Sequence, residues 1–415
     1  MQVKDTTRST FVQLIGEITD KELFEKLRKL LGLDYYVKKL KADILLPLMI
    51  LAQLRRYSSL KEISSCLDDD AISKALGLDS IHGSTISRRL AALPTEALET
   101  LFIELKNKCI AKIGLNAANR LFSRLHLIDS TTISLCVTRY NWADFRETMA
   151  GIKAHLGVKV HEDGVIPDVM VMTPARPSDK TQMDAMVIEK ADAINVFDRA
   201  YLDYQKFDSY CENRVLFVTR LKGNAAVETK VELDVKAGSP IKSDSIVVLG
   251  SGPKRMKHPL RLLETEDTQG NLIRILTNVT DLTAKEIGDV YRYRWKIELF
   301  FKWLKQNLTI KHFFGQSDQA VRNQLYIALI TYCLLGMIRA ESGCTQTLLE
   351  LKRMLVACLH SSFEDFLKRL LRKPSRSSRG RRKPRHDLIF GQTYMQAMAG
   401  DTDLFYDVTY DPVIL

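Results

Sequence analysis

The chain has 415 residues, 46% of them hydrophobic, which allows about two to four domains with a substantial core and excludes a disordered polypeptide. Lys and Arg number 61 against 50 Asp and Glu, a net charge of +11 that favours an acidic partner, most simply nucleic acid. Seven cysteines without a CxxC pair read as reduced thiols and exclude a disulfide framework or a zinc site of that kind. The first residues lack a signal-peptide apolar region, and the longest apolar runs, 44–51 and 325–338, are too short to span a bilayer. A cytoplasmic protein that binds no membrane is expected.

Residues 1–118 read as all-helical, with periodic apolar positions over 11–18, 23–33, 44–54 and 63–76. The stretch IHGSTISRRLAALP then offers Ser84 or Thr85 as the cap of a short helix carrying Ser87, Arg88 and Arg89, ended by Pro94. A helix that opens on small polar and Arg residues suits a DNA major groove, and equally an ordinary surface helix.

From Arg124 the texture changes to β. In RLHLIDSTTISL, Leu125, Leu127 and Asp129 share one side of a strand, and in AINVFDRAY the row Ile194, Val196 again ends on a carboxylate, Asp198. A buried unpaired carboxylate is costly, and strand-end exposure or a metal ion resolves the cost. Strands are expected over 154–161 and 168–173, a helix over 180–190, a second helix over 204–213, and a strand in RVLFVTRLKG. Three adjacent strands, a helix and a further strand bearing the second Asp describe an α/β core of the ribonuclease-H type. Residues 222–284 read as four strands between Gly, Pro and Asn turns, a β-rich insertion that does not continue this core.

The segment 291–308, YRYRWKIELFFKWLKQNL, has no Pro or Gly and reads as one continuous helix. At about 100° per residue, Tyr291, Arg294, Glu298 and Lys305 share an arc of roughly 60°. Tyr293, Ile297, Phe300, Phe301, Leu304 and Leu308 form a separate apolar ridge. A solvated face held by i,i+4 pairs is the plain explanation of the polar stripe. Lys305, however, lies about 10 Å along the axis from Glu298, too far for a direct pair. A carboxylate flanked by phosphate-seeking groups suits metal-assisted chemistry on a polyanion. A buried helix over 321–339 follows, and the basic run 366–385 reads as a linker and phosphate clamp or as a solvated tail. Past it, Phe405, Tyr406 and Tyr410 offer apolar groups that could dock back. The histidines are unclustered, and His126, His155, His161 and His312 read as structural or DNA-contact residues rather than ligands.

The segments LIDSTTISL, VFDRAYLDYQKF with FVTRLKGN, and YRYRWKIELFFKWLKQNLTIKHFFG resemble the bacterial insertion-sequence-four transposases of the DDE class. The signature of that family, Tyr, two residues, Arg, three residues, Glu, six residues, Lys, is matched at Tyr291, Arg294, Glu298 and Lys305. The resemblance covers about 120–340 and implies a DNA transposase with a ribonuclease-H-like catalytic core interrupted by the β-rich insertion. All-helical N-terminal DNA-binding and C-terminal regions would flank that core. The implied domains are 1–118 (DNA-binding), 119–221 (first part of the core), 222–284 (insertion), 285–320 (Glu-bearing helix) and 321–415 (helical C-terminal region with the basic linker). Asp129, Asp198 and Glu298 would be the catalytic carboxylates and would hold two Mg²⁺ ions, with Mn²⁺ as a substitute. Tyr291, Arg294 and Lys305 would contact phosphates, and Arg199 and Tyr201, with Arg88 and Arg89, would contact DNA. The implied reaction is cut-and-paste movement of an insertion sequence through end cleavage, a hairpin and strand transfer by the 3′-hydroxyl. A homodimer would pair the inverted repeats with target DNA. Two points temper the hairpin route and the match: Ala200 stands where the family has Gly, and 222–284 holds no Trp, Phe or Tyr to stack a flipped base, with Trp142, Trp295 and Trp303 reading as packing residues. The alternatives are a nuclease of the same fold that does not join strands and a non-catalytic DNA-binding protein.

Overall fold

Side-chain caps delimit most of the helices that the apolar periodicity points to. Ser9, Asp20, Ser59 and Asp69 each accept a bond from a first-turn backbone N–H, and Thr283 and Thr347 form reciprocal capping boxes with Glu286 and Glu350. In the computed structural model, which describes residues 8–114, 120–146, 149–162, 164–236, 238–266 and 270–372, the N-terminal part is helical. It comprises α1 (Thr10–Ile18), α2 (Lys21–Leu31), α3 (Ala42–Arg55), α4 (Leu60–Ser65), α5 (Asp70–Leu76), α6 (Gly83–Ala92) and α7 (Thr95–Ile113). The cap of α6 is His82 rather than Ser84 or Thr85, because its imidazole accepts from the Ser84 N–H at 3.2 Å.

The β region opens with α8 (Arg120–Arg124), β1 (Leu125–Leu135), β2 (Asp144–Arg146), β3 (Met149–His161) and β4 (Gly164–Pro174). It continues through α9 (Met183–Met186), β5 (Ile194–Phe197), α10 (Tyr204–Glu212), β6 (Leu216–Arg220), β7 (Val227–Leu233), β8 (Ser243–Leu249), β9 (Leu260–Glu266) and β10 (Leu272–Thr277). The last helices are α11 (Ala284–Tyr293), α12 (Trp295–Asn307), α13 (Asp318–Ser342), α14 (Leu348–Ala357) and α15 (Phe363–Leu370). Of the basic run 366–385 only residues through 372 are among those described, and Phe405, Tyr406 and Tyr410 lie outside them.

Among the described residues ten strands form one mixed sheet in the order β2-β3-β1-β5-β6-β10-β9-β8-β7, with β4 paired to β3. The centre is parallel, β1 on β5 and β5 on β6. β10 then joins β6 antiparallel, and β9, β8 and β7 follow as a meander. Residues 222–284 therefore do continue the core sheet, contrary to the expectation from sequence. Turn signals mark where strands end, but the edge on which a strand pairs is decided by tertiary packing. The helix expected over 180–190 shrinks to a 3₁₀ turn and α9. The fully buried Asn195 amide bonds both the N–H and the C=O of Ile188, at 2.9 and 3.0 Å, and so draws that backbone out of the helix.

The chain divides into two compact units. One takes its described residues from Met1–Gly114, Ser134–Gly151 and Trp303–Arg381, so the N-terminal helices pack with the C-terminal ones rather than apart from them. Its central element is α13, buried on all sides from Ala320 to Ile338 apart from Arg322 and Gly336 and packed on α7, α6, α3 and α14. By length and composition alone α13 could cross a membrane, but most of it is buried inside this unit. The other unit draws on Leu115–Ile133 and Ile152–Lys302. Its core includes Phe197, Tyr201, Phe207 and Phe217, with the rings of Phe207 and Phe217 stacked at 4.6 Å.

The segment 291–308 is not one unbroken helix. At Arg294 the bonds tighten to i→i−3, Arg294 N to Tyr291 O and Ile297 N to Arg294 O, both 3.1 Å, and α11 passes into α12 through a 3₁₀ turn. The apolar ridge is buried as expected except at Tyr293; Tyr291, placed on the polar stripe, is the buried tyrosine instead.

Candidate active site

The parallel register pairs Leu125 with Ile194, His126 with Asn195, Leu127 with Val196 and Ile128 with Phe197. One residue further on, Asp129, within β1, and Asp198, the first residue past β5, stand side by side, at the roughly 4.8 Å spacing of paired strands. Each carboxylate is oriented by the backbone just beyond it: Asp129 Oδ1 accepts from Ser130 N at 2.8 Å and Asp198 Oδ1 from Arg199 N at 2.7 Å. Each therefore keeps its other oxygen turned elsewhere.

Glu298 lies in the first turn of α12, one helical turn beyond Arg294. The Arg294 guanidinium joins the constellation, with Nη2 at 2.6 Å from Glu298 Oε1 and Nη1 at 3.1 Å from Asp129 Oδ2. The side chains of Arg294, Asp129 and Glu298 are 14%, 17% and 35% exposed, so this triad is largely withdrawn from water. Burial pushes the Asp129 carboxyl up to about 7; Arg294 opposes the rise, while Glu298 and Asp198 add to it. Burial works against the Arg294 charge, yet Glu298, Asp129, Tyr291 and Asp198 together hold its pKa above the ordinary value. The Tyr291 ring lies 5.8 Å from that guanidinium, and burial raises its phenol.

The helix pair is held in place by contacts within the same unit. Lys296 donates to the carbonyls of His161 and Glu162 at 3.3 and 3.2 Å, tying α12 to the turn after β3. Arg124, at the foot of β1, is buried and bonds Asp281 at 2.7 and 3.3 Å as well as the Asp192 carbonyl at 3.1 Å. It thereby fixes the loop that leads into α11. Nothing in the sequence pattern marks Arg124 out, since its partners lie 68 and 157 residues away.

Not every residue picked from sequence reaches the carboxylates. Among the described residues no group of three or more His, Cys, Asp or Glu side chains stands close enough together to hold a metal ion, and a guanidinium lies between two of the expected carboxylates. Tyr201 is buried, its ring 6.0 Å from that of Phe197, so it is a core residue and not a DNA contact. Its phenol is raised first by burial and then by Asp129. Arg199 is exposed. Arg89 is 8% exposed and spends its guanidinium on the carbonyls of Leu40 and Leu33, at 3.1 and 2.6 Å, and on Asp34 at 2.7 Å; it is a structural residue, whereas its neighbour Arg88 is exposed. Lys305 is half-buried on α12 and belongs to the other unit.

A mixed α/β core that sets an aspartate of β1 beside the aspartate just past β5, with a helix-borne glutamate sharing an arginine with the first, has the residue types of phosphodiester chemistry. The chain belongs to the family described as the transposase DDE domain, whose model matches residues 120–334; a domain of unknown function matches residues 6–72. It is 31% identical to a "Probable transposase for insertion sequence element IS5377" of Geobacillus stearothermophilus, over 62% of this chain and 68% of that one. It is 33% identical to y4zB of Sinorhizobium fredii, provisionally named a transposase, over 57% of this chain and 66% of the relative. The solved piggyBac transposase synaptic complex with hairpin DNA covers 98% of this chain and 88% of its own at 10% identity and a TM-score of 0.41, a value from which no shared fold is inferred. The protein is a DNA transposase of insertion-sequence type, an enzyme that cleaves DNA and transfers strands.

Proposed function

We propose that this transposase moves its element by cut-and-paste chemistry on a ribonuclease-H-like core, with Asp129, Asp198 and Glu298 as the catalytic carboxylates. The observation that supports the reading is the side-by-side placement of Asp129 on β1 and Asp198 just past β5, with Glu298 linked to Asp129 through one guanidinium. Every candidate donor is a carboxylate oxygen, the ligand type that hard divalent cations take, and a cationic group already lies between two of them. The three carboxylates do not stand close enough together to hold an ion as they are, and would hold two Mg²⁺ ions, or Mn²⁺ in their place, only once Arg294 gives up its bonds to them. When bound, such ions activate the attacking water or 3′-hydroxyl and stabilise the leaving oxygen.

The chain's own residues bind and orient. Arg294, held between Asp129 and Glu298, is placed to exchange a carboxylate for a non-bridging phosphate oxygen of the scissile strand. Tyr291 fixes that guanidinium from the buried side, Lys305 serves a second phosphate, and the exposed Arg199 and Arg88 bind the backbone of DNA. Water nicks one strand at each element end, and the freed 3′-hydroxyl attacks the opposite strand to form a hairpin. Water reopens the hairpin, and the 3′-hydroxyl then attacks target DNA, with two copies of the chain pairing the two ends. Because 222–284 has no aromatic residue, the base that a hairpin flips out is stacked by a ring from elsewhere.

The test is a labelled duplex ending in the element's inverted repeat, incubated with wild-type protein and with Asp129→Ala in Mg²⁺, Mn²⁺ or chelator and resolved on a denaturing gel. Metal-dependent cleavage that the variant loses is the expected result, and a slow-migrating hairpin band fixes the pathway. Specific binding without cleavage in either metal would overturn the assignment of the three carboxylates.

A further inference from the structure

We propose that the turn between α2 and α3 is a DNA-contacting site of its own, in which Tyr35 and Tyr36 stack on unpaired bases while Lys38 and Lys39 hold the adjoining phosphates. The proposal rests on the transposase reading only in taking the polymer to be DNA. It falls within the segment matched by the domain of unknown function and far in sequence from the carboxylates.

Tyr35 and Tyr36 are 75% and 88% exposed, the two most exposed large apolar side chains among the described residues, and their rings lie 4.2 Å apart. A single exposed aromatic needs no explanation, but two consecutive ones on a rigid turn do. Tyr36 also has φ of 58°, a left-handed conformation that bulky residues rarely adopt and that costs free energy unless its surroundings impose it.

The surroundings do impose it. Leu33 and Leu40, on the two stems of the turn, are buried, and the guanidinium of Arg89 bonds the carbonyls of both. Asp34 is clasped by Arg89 at 2.7 Å and by Arg28 at 2.7 Å, and its Oδ1 also accepts from Ala42 N at 2.8 Å. Two successive backbone bonds, Tyr35 N to Gly32 O and Val37 N to Asp34 O, close the turn itself. The nearby carboxylates Glu25, Asp34 and Asp43 are all paired with arginine, while Lys29, Lys38, Lys39 and Lys41 are exposed. The face therefore offers a positive field around two exposed rings held together at a tilt of 58°, and exposed aromatics among cations are the combination by which single strands are held without sequence preference.

The experiment measures fluorescence anisotropy of the full chain, in chelator, with a labelled oligothymidylate of about 20 nucleotides and with a blunt duplex of about 30 base pairs. Tyr35→Ala/Tyr36→Ala should weaken oligothymidylate binding about 10-fold or more and duplex binding by less than about 2-fold, with an unchanged melting temperature. Tyr35→Phe/Tyr36→Phe, which keeps the rings, should bind like the wild type. Lys38→Ala/Lys39→Ala should flatten the log–log salt dependence on the single strand by about 1.4. Unchanged single-strand affinity in the alanine pair, or an equal loss on the duplex, would overturn the proposal. Because the assay involves no cleavage, a chain that never cuts DNA but depends on these tyrosines for binding would refute the catalytic assignment and leave this site standing.

Discussion

Arg294 Nη1 lies 3.1 Å from Asp129 Oδ2, so a cation in the turn between α11 and α12 pairs with a carboxylate of β1 from 165 residues away in sequence. The same guanidinium bonds Glu298, so a divalent ion held by these carboxylates would compete with it for the same oxygens. Arg294→Ala should therefore lower stability by about 3 kcal/mol, because it leaves two mostly buried carboxylates and the neighbouring Asp198 mutually repelling. Added Mg²⁺ should restore more of the melting temperature in the variant than in the wild type. Thermal unfolding in chelator and in Mg²⁺ checks this, and equal metal-induced shifts in the two proteins would contradict the competition.

Asp129→Asn should separate catalysis from folding. The substitution removes one charge from a buried group flanked by Glu298 and Asp198 and keeps its shape, so the melting temperature should hold or rise. Cleavage should fall on the order of 10³-fold or more, since the oxygen that would bind a cation becomes a weakly donating amide. Single-turnover cleavage beside a melting curve is the measurement. A large loss of stability would mean that Asp129 is held for the fold instead.

Asp129 and Asp198 stand out in the sequence because a two-residue period places each at the end of an apolar row, although β1 runs on past Asp129 to Leu135, and the helix stripe points to Arg294 and Glu298 by the same kind of counting. What the counting misses is set by distant partners. The 3₁₀ break at Arg294 occurs among good helix formers, so no propensity marks it. Asn195 unwinds the segment after α9 by hydrogen bonds that no periodicity reveals. The strands of 222–284 show their turns but not the edge of β6 on which β10 closes. Arg89 looks like a groove-reading residue in the string SRRL, and only the fold shows its guanidinium turned inward onto Leu33, Asp34 and Leu40.

That inward turn separates Arg89 from its neighbour. Arg89→Ala should cost about 2–4 kcal/mol, because the carbonyls of Leu33 and Leu40 lose this donor while Asp34 loses one of its two arginines. Arg88→Ala should leave the melting temperature unchanged and reduce the magnitude of the salt slope for duplex binding by about 0.9, the value of one phosphate contact. Chemical denaturation and a salt titration of binding, run on both variants, distinguish the roles. A stable Arg89→Ala protein with a reduced salt slope would return Arg89 to the DNA-contacting set.

His155 gives the unit of the carboxylates a pH-dependent stability. It is fully buried on β3, its Nε2 3.0 Å from Thr173 Oγ1, and burial holds its imidazole down to about 4. The folded state thus keeps this ring neutral where the unfolded chain, with an ordinary histidine near about 6.5, takes up a proton. Its contribution is fully present above about pH 6.5 and is lost as pH falls from there towards 4, reaching about 3 kcal/mol at the lower limit. His155→Gln retains a partner for the Thr173 hydroxyl and does not titrate. Urea unfolding of the two proteins at about pH 7, 5.5 and 4.5 should show the wild type losing more stability than the variant at each step down. Parallel curves would mean that His155 is protonated within the fold.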